Sequence, residues 1–316
     1  MKAVTFAEFG GPEKLQITEK PEPLADEGEV VVAVAASAVN PTDLANLGGA
    51  RAQLMKDLAP PYTAGMDFSG RIASVGARVS SLTVGQPVVG VVSPRRPSGG
   101  AHAERIPVPA VSVAPVEEGT DLIAAATVPM NALTGMLCLD LLGLRAGQTI
   151  LITGAAGMLG SLSIELALLD GLNVLANAGE ADREFLTGLG VESVLPRDEG
   201  LEEQLRAACP AGVDGVIDAA LIGQRISHLV RDGGGIVSVR RAYEIDDPRL
   251  KVSYVQVTSG VEDREKVTRI GRLLDEGKVT PRIARDGVFP LAEAPDAYRM
   301  AQNGGLRGRV VITFGA

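Results

Sequence analysis

A glycine-rich turn constrains this chain more than any other feature. Residues 153–160 (TGAAGMLG) follow an apolar run at 149–153 (TILIT) and open a helical stretch over 158–170. Gly or Ala at these places allows a tight turn, close approach of backbone amides to a pyrophosphate, and close packing of helix on strand. The phosphates then sit at the positive end of the helix dipole. Glycines also punctuate ordinary strand-to-helix turns, so context decides between the two readings. Here the turn lies within an alternation: strand 173–178, helix 183–189, strand 194–195, helix 201–208, strand 213–219, a further stretch 222–229 and strand 235–239. Such spacing specifies a parallel, doubly wound sheet. It makes Gly154, Ala155, Ala156, Gly157, Met158 and Leu159 candidate dinucleotide contacts.

The choice of dinucleotide falls to the end of the second strand. A carboxylate about 20 residues past the turn would hold a ribose 2′-OH and favour NAD. Glu180 stands there, but one or two places beyond the strand end at Ala178 or Gly179. Arg183, and Arg197 after the third strand, could instead meet a 2′-phosphate. The expectation is NADPH with Gly179, Arg183 and Arg197 near it; NADH is not excluded. Val239 and Arg240 close the 235–239 strand, at the edge where such sheets place their ligands.

Before this region the rhythm differs. Short apolar runs at 29–38, 70–75, 86–92 and 101–108, separated by Gly and Pro, read as strands, and 121–142 reads as helical with Thr120 or Asp121 as its cap. After it come helices over 262–276 and 290–303 and a closing strand at 309–314 that needs a partner, best supplied by the N-terminal strands. The expected domains are therefore 1–122 with 262–316, and 123–261. At roughly 100–200 residues per domain, 316 residues suit that division.

Composition excludes several functions. The net charge is −9 and aromatics are 3% with no Trp, which disfavours gripping phosphate backbones or stacking bases. Two cysteines, Cys138 and Cys209, and two histidines, His102 and His228, stand at no ligand spacing, so neither a catalytic nor a structural zinc is expected. Reduced thiols fit a cytoplasmic chain. Residues 1–6 read as a strand, not a leader, and no run approaches the ~20 apolar residues that span a bilayer.

Four stretches together resemble the medium-chain dehydrogenase/reductase superfamily in its zinc-free, quinone oxidoreductase-like branch. Residues 39–43 (VNPTD) resemble an N-x-x-D motif, and 65–76 (GMDFSGRIASVG) resemble G-x-D-x-x-G-x-V-x-x-V-G. Residues 99–104 (GGAHAE) resemble G-G-x-A-E, and 308–311 (GRVV) the terminal G-K-x-V. The resemblance implies an α/β protein with a GroES-like β-rich catalytic domain, built from both chain ends, around a Rossmann domain. Zinc-containing relatives carry a His-Glu pair where this chain reads Met66-Asp67, and a Cys in the loop where it reads Asn40 to Asp43. No zinc is implied.

The implied chemistry is hydride transfer from NADPH to a quinone or an α,β-unsaturated carbonyl. By the resemblance Asn40 and Asp43 would line the site near the nicotinamide as catalytic residues, and Thr134 would contact the cofactor. As residues they also read as a turn before Pro41 and a helix cap. Tyr62 is the nearest phenol to the place where enoyl reductases carry one, but it precedes a strand and could simply pack. Two alternatives stand beside the leading reading: an enoyl reductase for a polyketide or CoA thioester, and a non-catalytic NADPH-binding protein. A homodimer paired through the apolar edge 253–257 is the expected assembly, with no nucleic-acid partner and no membrane.

Overall fold

The computed structural model describes residues 1–241 and 244–315. They form two compact units, Met1–Met130 with Thr258–Ala316, and Asn131–Val257. The first division comes after Met130, where residue 122 was expected. The helix Leu122–Ala125 packs on the strands Glu29–Val39, Asp67–Val75 and Pro87–Val91, which ties it to the first unit. The second comes before Thr258, whose hydroxyl oxygen accepts from Arg95 Nη2 at 2.9 Å.

The Asn131–Val257 unit holds a six-stranded, wholly parallel sheet. Its order is Ser193–Leu195, Asn173–Asn177, Thr149–Thr153, Val213–Asp218, Val230–Ser238, Lys251–Tyr254. Two-residue periodicity supplies both of its faces. Ile150, Ile152, Ile217 and Val237 enter one apolar cluster; their neighbours Leu151, Val216 and Ile236 enter another. The helix Met158–Leu169 covers one face and is buried along most of its length. Strand order reverses between Thr149–Thr153 and Val213–Asp218, the place where open sheets of this kind bind ligands at the carboxyl ends of the strands.

The Met1–Met130/Thr258–Ala316 unit is β-rich. A seven-stranded sheet runs Ile283–Pro290, Arg309–Thr313, Glu29–Val39, Asp67–Val75, Pro87–Val91, Val113–Pro115, with Arg105–Pro109 also paired to Glu29–Val39. The closing strand pairs antiparallel with Glu29–Val39, Val310 opposite Val39 and Thr313 opposite Ala36, so both chain ends build this unit. A second sheet joins Gln16–Glu19, Lys2–Phe6 and Tyr62–Thr63.

Several expected elements come out differently. The helical stretch 121–142 is two helices, Leu122–Ala125 and Pro129–Leu142; Asp121 caps the first by accepting from the N–H groups of Ile123 and Ala124. The stretch 101–108 forms a strand only over Arg105–Pro109; ahead of it Ala103 makes an isolated antiparallel bridge to Ala3. Residues 222–229 form a 3₁₀ helix, Gly223–Leu229. Pro290 ends a strand, Ile283–Pro290, that the sequence hid: its apolar pattern is broken by a register shift between Ile283 and Val288. The sheet edge is Lys251–Tyr254, and the side chains of Val255 and Val257 beyond it are buried. Leu122–Leu142 is, by length and composition alone, apolar enough to cross a bilayer, against the sequence reading; 78% of its most apolar window is buried within the fold.

Candidate functional site

In the Asn131–Val257 unit the expected cofactor residues collect at the carboxyl edge of the sheet. Thr153 ends its strand, and Gly154 turns the chain with φ +59°, a conformation that suits glycine. Gly157 is extended and precedes the helix Met158–Leu169 as its N-cap, without a side chain of its own to cap it. A Cβ on Gly157 would meet only the Gly154 oxygen, at 3.2 Å, and would otherwise project into open space. A Cβ on Gly160 would lie 2.3 Å from that same oxygen and 2.7 Å from Ala155 Cα, so helix and turn touch backbone to backbone. Tight turn, glycine N-cap and close packing are what a pyrophosphate cradle needs, and these residues fit a dinucleotide. Ala155, Ala156 and Met158 are buried and shape the turn from below.

The neighbouring strand ends supply the charges. Asn173–Asn177 gives way to Ala178 and Gly179, and Gly179 precedes a 3₁₀ turn, Glu180–Asp182. Arg183 holds Glu180 in a two-point pair, Nε to Oε1 at 2.7 Å and Nη2 to Oε2 at 2.8 Å. Each member moves the other's pKa in the charged direction. Arg197, after Ser193–Leu195, lies 3.7 Å from the buried Asp182. Val239 and Arg240 fall just past Val230–Ser238; Val239 packs on the apolar core, and the Arg240 carbonyl accepts from Ser238 Oγ at 3.0 Å. Thr134 lies on Pro129–Leu142, ahead of the first strand of this sheet, and is 7% exposed.

The sequence reading missed Asp218. It ends Val213–Asp218 beside Thr153, is fully buried, and accepts the Thr153 hydroxyl at 2.8 Å. The signal was a carboxylate closing a strand just after the apolar pair Val216-Ile217.

In the β-rich unit Asn40 and Asp43 come together as expected, but inside the protein. Asn40 precedes the helix Pro41–Leu47, and its backbone N–H donates to Asp43 Oδ2 at 2.8 Å, half of a capping box. Asn40 is fully buried and Asp43 is 2% exposed. The Asn40 side-chain amide donates to Asp67 Oδ1 at 2.5 Å, and Asp67 Oδ2 accepts the Met130 N–H at 3.2 Å. Burial pushes both carboxyls up, and the Asp67 charge raises Asp43 further, while Arg309 and the hydrogen bonds they accept draw them down. His102, in the G-G-x-A-E stretch, is also buried: Nε2 donates to the Ala38 carbonyl at 3.2 Å and Nδ1 accepts from Tyr298 Oη at 3.2 Å. Burial holds its imidazole neutral, down at about 4. Tyr62 packs against Phe6 and Phe9, with ring centroids 5.3 and 5.9 Å away. His228 sits at the surface, 3.0 Å from Glu202.

Among the described residues no three His, Cys, Asp or Glu side chains converge as a metal site. Cys138 is buried, which pushes its thiol up to about 12.

Comparison with known proteins agrees with this architecture. Residues 26–118 match the family model described as alcohol dehydrogenase GroES-like domain, and residues 189–312 match that described as zinc-binding dehydrogenase. The chain is 28% identical to a 2-methylene-furan-3-one reductase of Solanum lycopersicum, over 99% of this chain and 79% of the relative. It is 27% identical to an NADPH-dependent alkenal/one oxidoreductase, chloroplastic, of Arabidopsis thaliana, again over 99% and 79%. Among solved structures, the quinone oxidoreductase from Coxiella burnetii superposes with a TM-score of 0.84 at 27% identity, covering 99% of each chain.

Proposed function

This oxidoreductase belongs to the medium-chain dehydrogenase/reductase superfamily, and we propose that it is an NADPH-dependent, zinc-independent reductase of quinones or α,β-unsaturated carbonyls. The observation that carries the reading is the strand, turn and helix over 149–169, with its cradle open at Gly157, at the reversal of strand order.

When bound, the dinucleotide supplies a hydride from C4 of its nicotinamide to an electron-poor carbon or quinone. The chain's residues bind and orient. Backbone amides at the start of Met158–Leu169 hold the pyrophosphate without a side chain in the way. Arg183 and Arg197 take the 2′-phosphate: Arg183 exchanges an exposed partner, Glu180, for a dianion, and water already screens the pair it leaves. Asn40 and Asp43 fix the chain ahead of Pro41–Leu47, and in this reading they serve the reaction by holding that loop. NADPH in the name of one relative, together with two guanidiniums at the right strand ends, favours NADPH over NADH.

The test is loss of reduced-nicotinamide absorbance with NADPH and, in parallel, NADH against benzoquinone, a polycyclic quinone, a simple enone and an enoyl-CoA. Faster loss with NADPH and a quinone or enone is the expected result. Turnover confined to the enoyl-CoA moves the assignment to a thioester enoyl reductase. Binding of NADPH by calorimetry without turnover of any acceptor leaves a non-catalytic binder.

A further inference from the structure

Thr153 and Asp218 stand opposite one another as the last residues of the two strands between which the sheet order reverses. Both are buried from solvent. The Thr153 hydroxyl donates to Asp218 Oδ1 at 2.8 Å and accepts the Ala220 N–H at 3.0 Å. Asp218 Oδ1 also accepts the Ile222 N–H at 3.0 Å, and Oδ2 the Gly223 N–H at 2.8 Å. A buried carboxylate is costly unless its oxygens are satisfied, and here backbone amides of a single turn satisfy most of them.

That turn is strained. Leu221 has φ +59° and Gly223 φ +67°. A leucine in the left-handed region persists only where its surroundings impose it. The turn also lies against the fingerprint: a Cβ on Gly154 would be 3.3 Å from the Ala220 nitrogen and 3.4 Å from the Ala220 Cβ. Ala220 is nevertheless exposed, and Ala219, Leu221 and Ile222 are half-buried, so the turn presents an open surface beside the dinucleotide cradle.

We propose that Asp218, with Thr153, is a positioning residue for the dinucleotide: it clamps residues 219–223 in a strained turn that forms one wall of the cofactor site. This rests on the dinucleotide reading above. A carboxylate is required because its two oxygens accept the successive Ile222 and Gly223 N–H groups while the Thr153 hydroxyl it orients accepts that of Ala220. An amide side chain must present one NH₂ to an N–H donor and let part of the turn go.

The experiment measures Kd for NADPH and NADH by nicotinamide fluorescence, with kcat and KM for the cofactor on whichever acceptor turns over. Asp218→Asn and Thr153→Val are compared with Asp214→Asn at the other end of the same strand. Asp214 also accepts three groups, Gln148 Nε2, the Thr149 N–H and Arg231 Nε. The expected result is a rise of about tenfold or more in cofactor Kd and KM for Asp218→Asn and Thr153→Val, with kcat at saturating cofactor within about threefold of wild type. Asp214→Asn should lower Tm and leave Kd unchanged. If Asp218→Asn does not fold, Thr153→Val, nearly the same shape, decides alone. Cofactor Kd within about twofold of wild type in the folded variants overturns the proposal. A wild-type protein that binds neither NADPH nor NADH overturns the dinucleotide reading itself, and this proposal with it.

Discussion

Asp67 Oδ1 accepts the Asn40 side-chain amide at 2.5 Å, and the Asn40 main chain is held in turn by Asp43, so two buried carboxyls grip one asparagine. Both carboxyls are raised from 3.8 to about 7, by burial first. As pH climbs from about 4 to 7 the unfolded chain releases protons that the folded chain keeps. Stability therefore falls across that window, by up to about 1.4 kcal/mol per pH unit for each group, and levels off above it. His102 works the other way: burial lowers it from 6.5 to about 4, so stability is lost as pH falls through that range. Asp67→Asn removes one carboxyl and leaves His102. Its denaturation midpoint should gain on wild type steadily from pH 4 to pH 7, and parallel curves would show that Asp67 does not titrate there.

Gly157 and Gly160 should separate binding from folding. Gly157 has φ −71° and ψ 167°, which alanine adopts freely, and its Cβ would project into the cradle. Gly157→Ala should keep the wild-type Tm and weaken NADPH binding by about tenfold or more. Gly160→Ala drives a methyl into the Gly154 oxygen and Ala155, and should cost about 1–3 kcal/mol in chemical denaturation. Equal loss of stability in both variants would refute the cradle geometry.

Tyr298→Phe should be destabilising without touching turnover. The phenol donates to His102 Nδ1 at 3.2 Å while the imidazole edge meets the ring at 90°. Deleting the hydroxyl leaves a buried acceptor unpaired, at about 1–3 kcal/mol. A change in kcat would instead place the Tyr298–His102 pair in the reaction.

Much of this was legible because local pattern and global role coincide. The 149–160 stretch reads as strand, turn and helix because glycine suits the left-handed conformation at 154 and a Cβ at 160 would strike the Gly154 oxygen. The closing strand was legible for a related reason, an apolar run at 309–314 in need of a partner. Asp218 and the Asn40–Asp67 bond were not legible, because each depends on register between strands far apart in sequence: Thr153 opposite Asp218, and Asn40 reaching residue 67. For Asn40 and Asp43, motif spacing gives proximity, and it does not give burial.

Cofactor choice turns on Glu180 and Arg183, which oppose each other in a single ion pair. If a 2′-phosphate recruits Arg183 and Arg197, the double variant Arg183→Ala/Arg197→Ala should raise Kd for NADPH by about tenfold or more and leave NADH almost unchanged. Glu180→Ala should strengthen NADPH binding, because it removes both a like charge and a competitor for Arg183. If instead Glu180 accepts a ribose 2′-OH, Glu180→Ala weakens NADH and the arginine variants change neither nucleotide. Fluorescence titration of both nucleotides against these two variants distinguishes the outcomes, and a fall in NADH affinity on losing Glu180 would reverse the NADPH assignment.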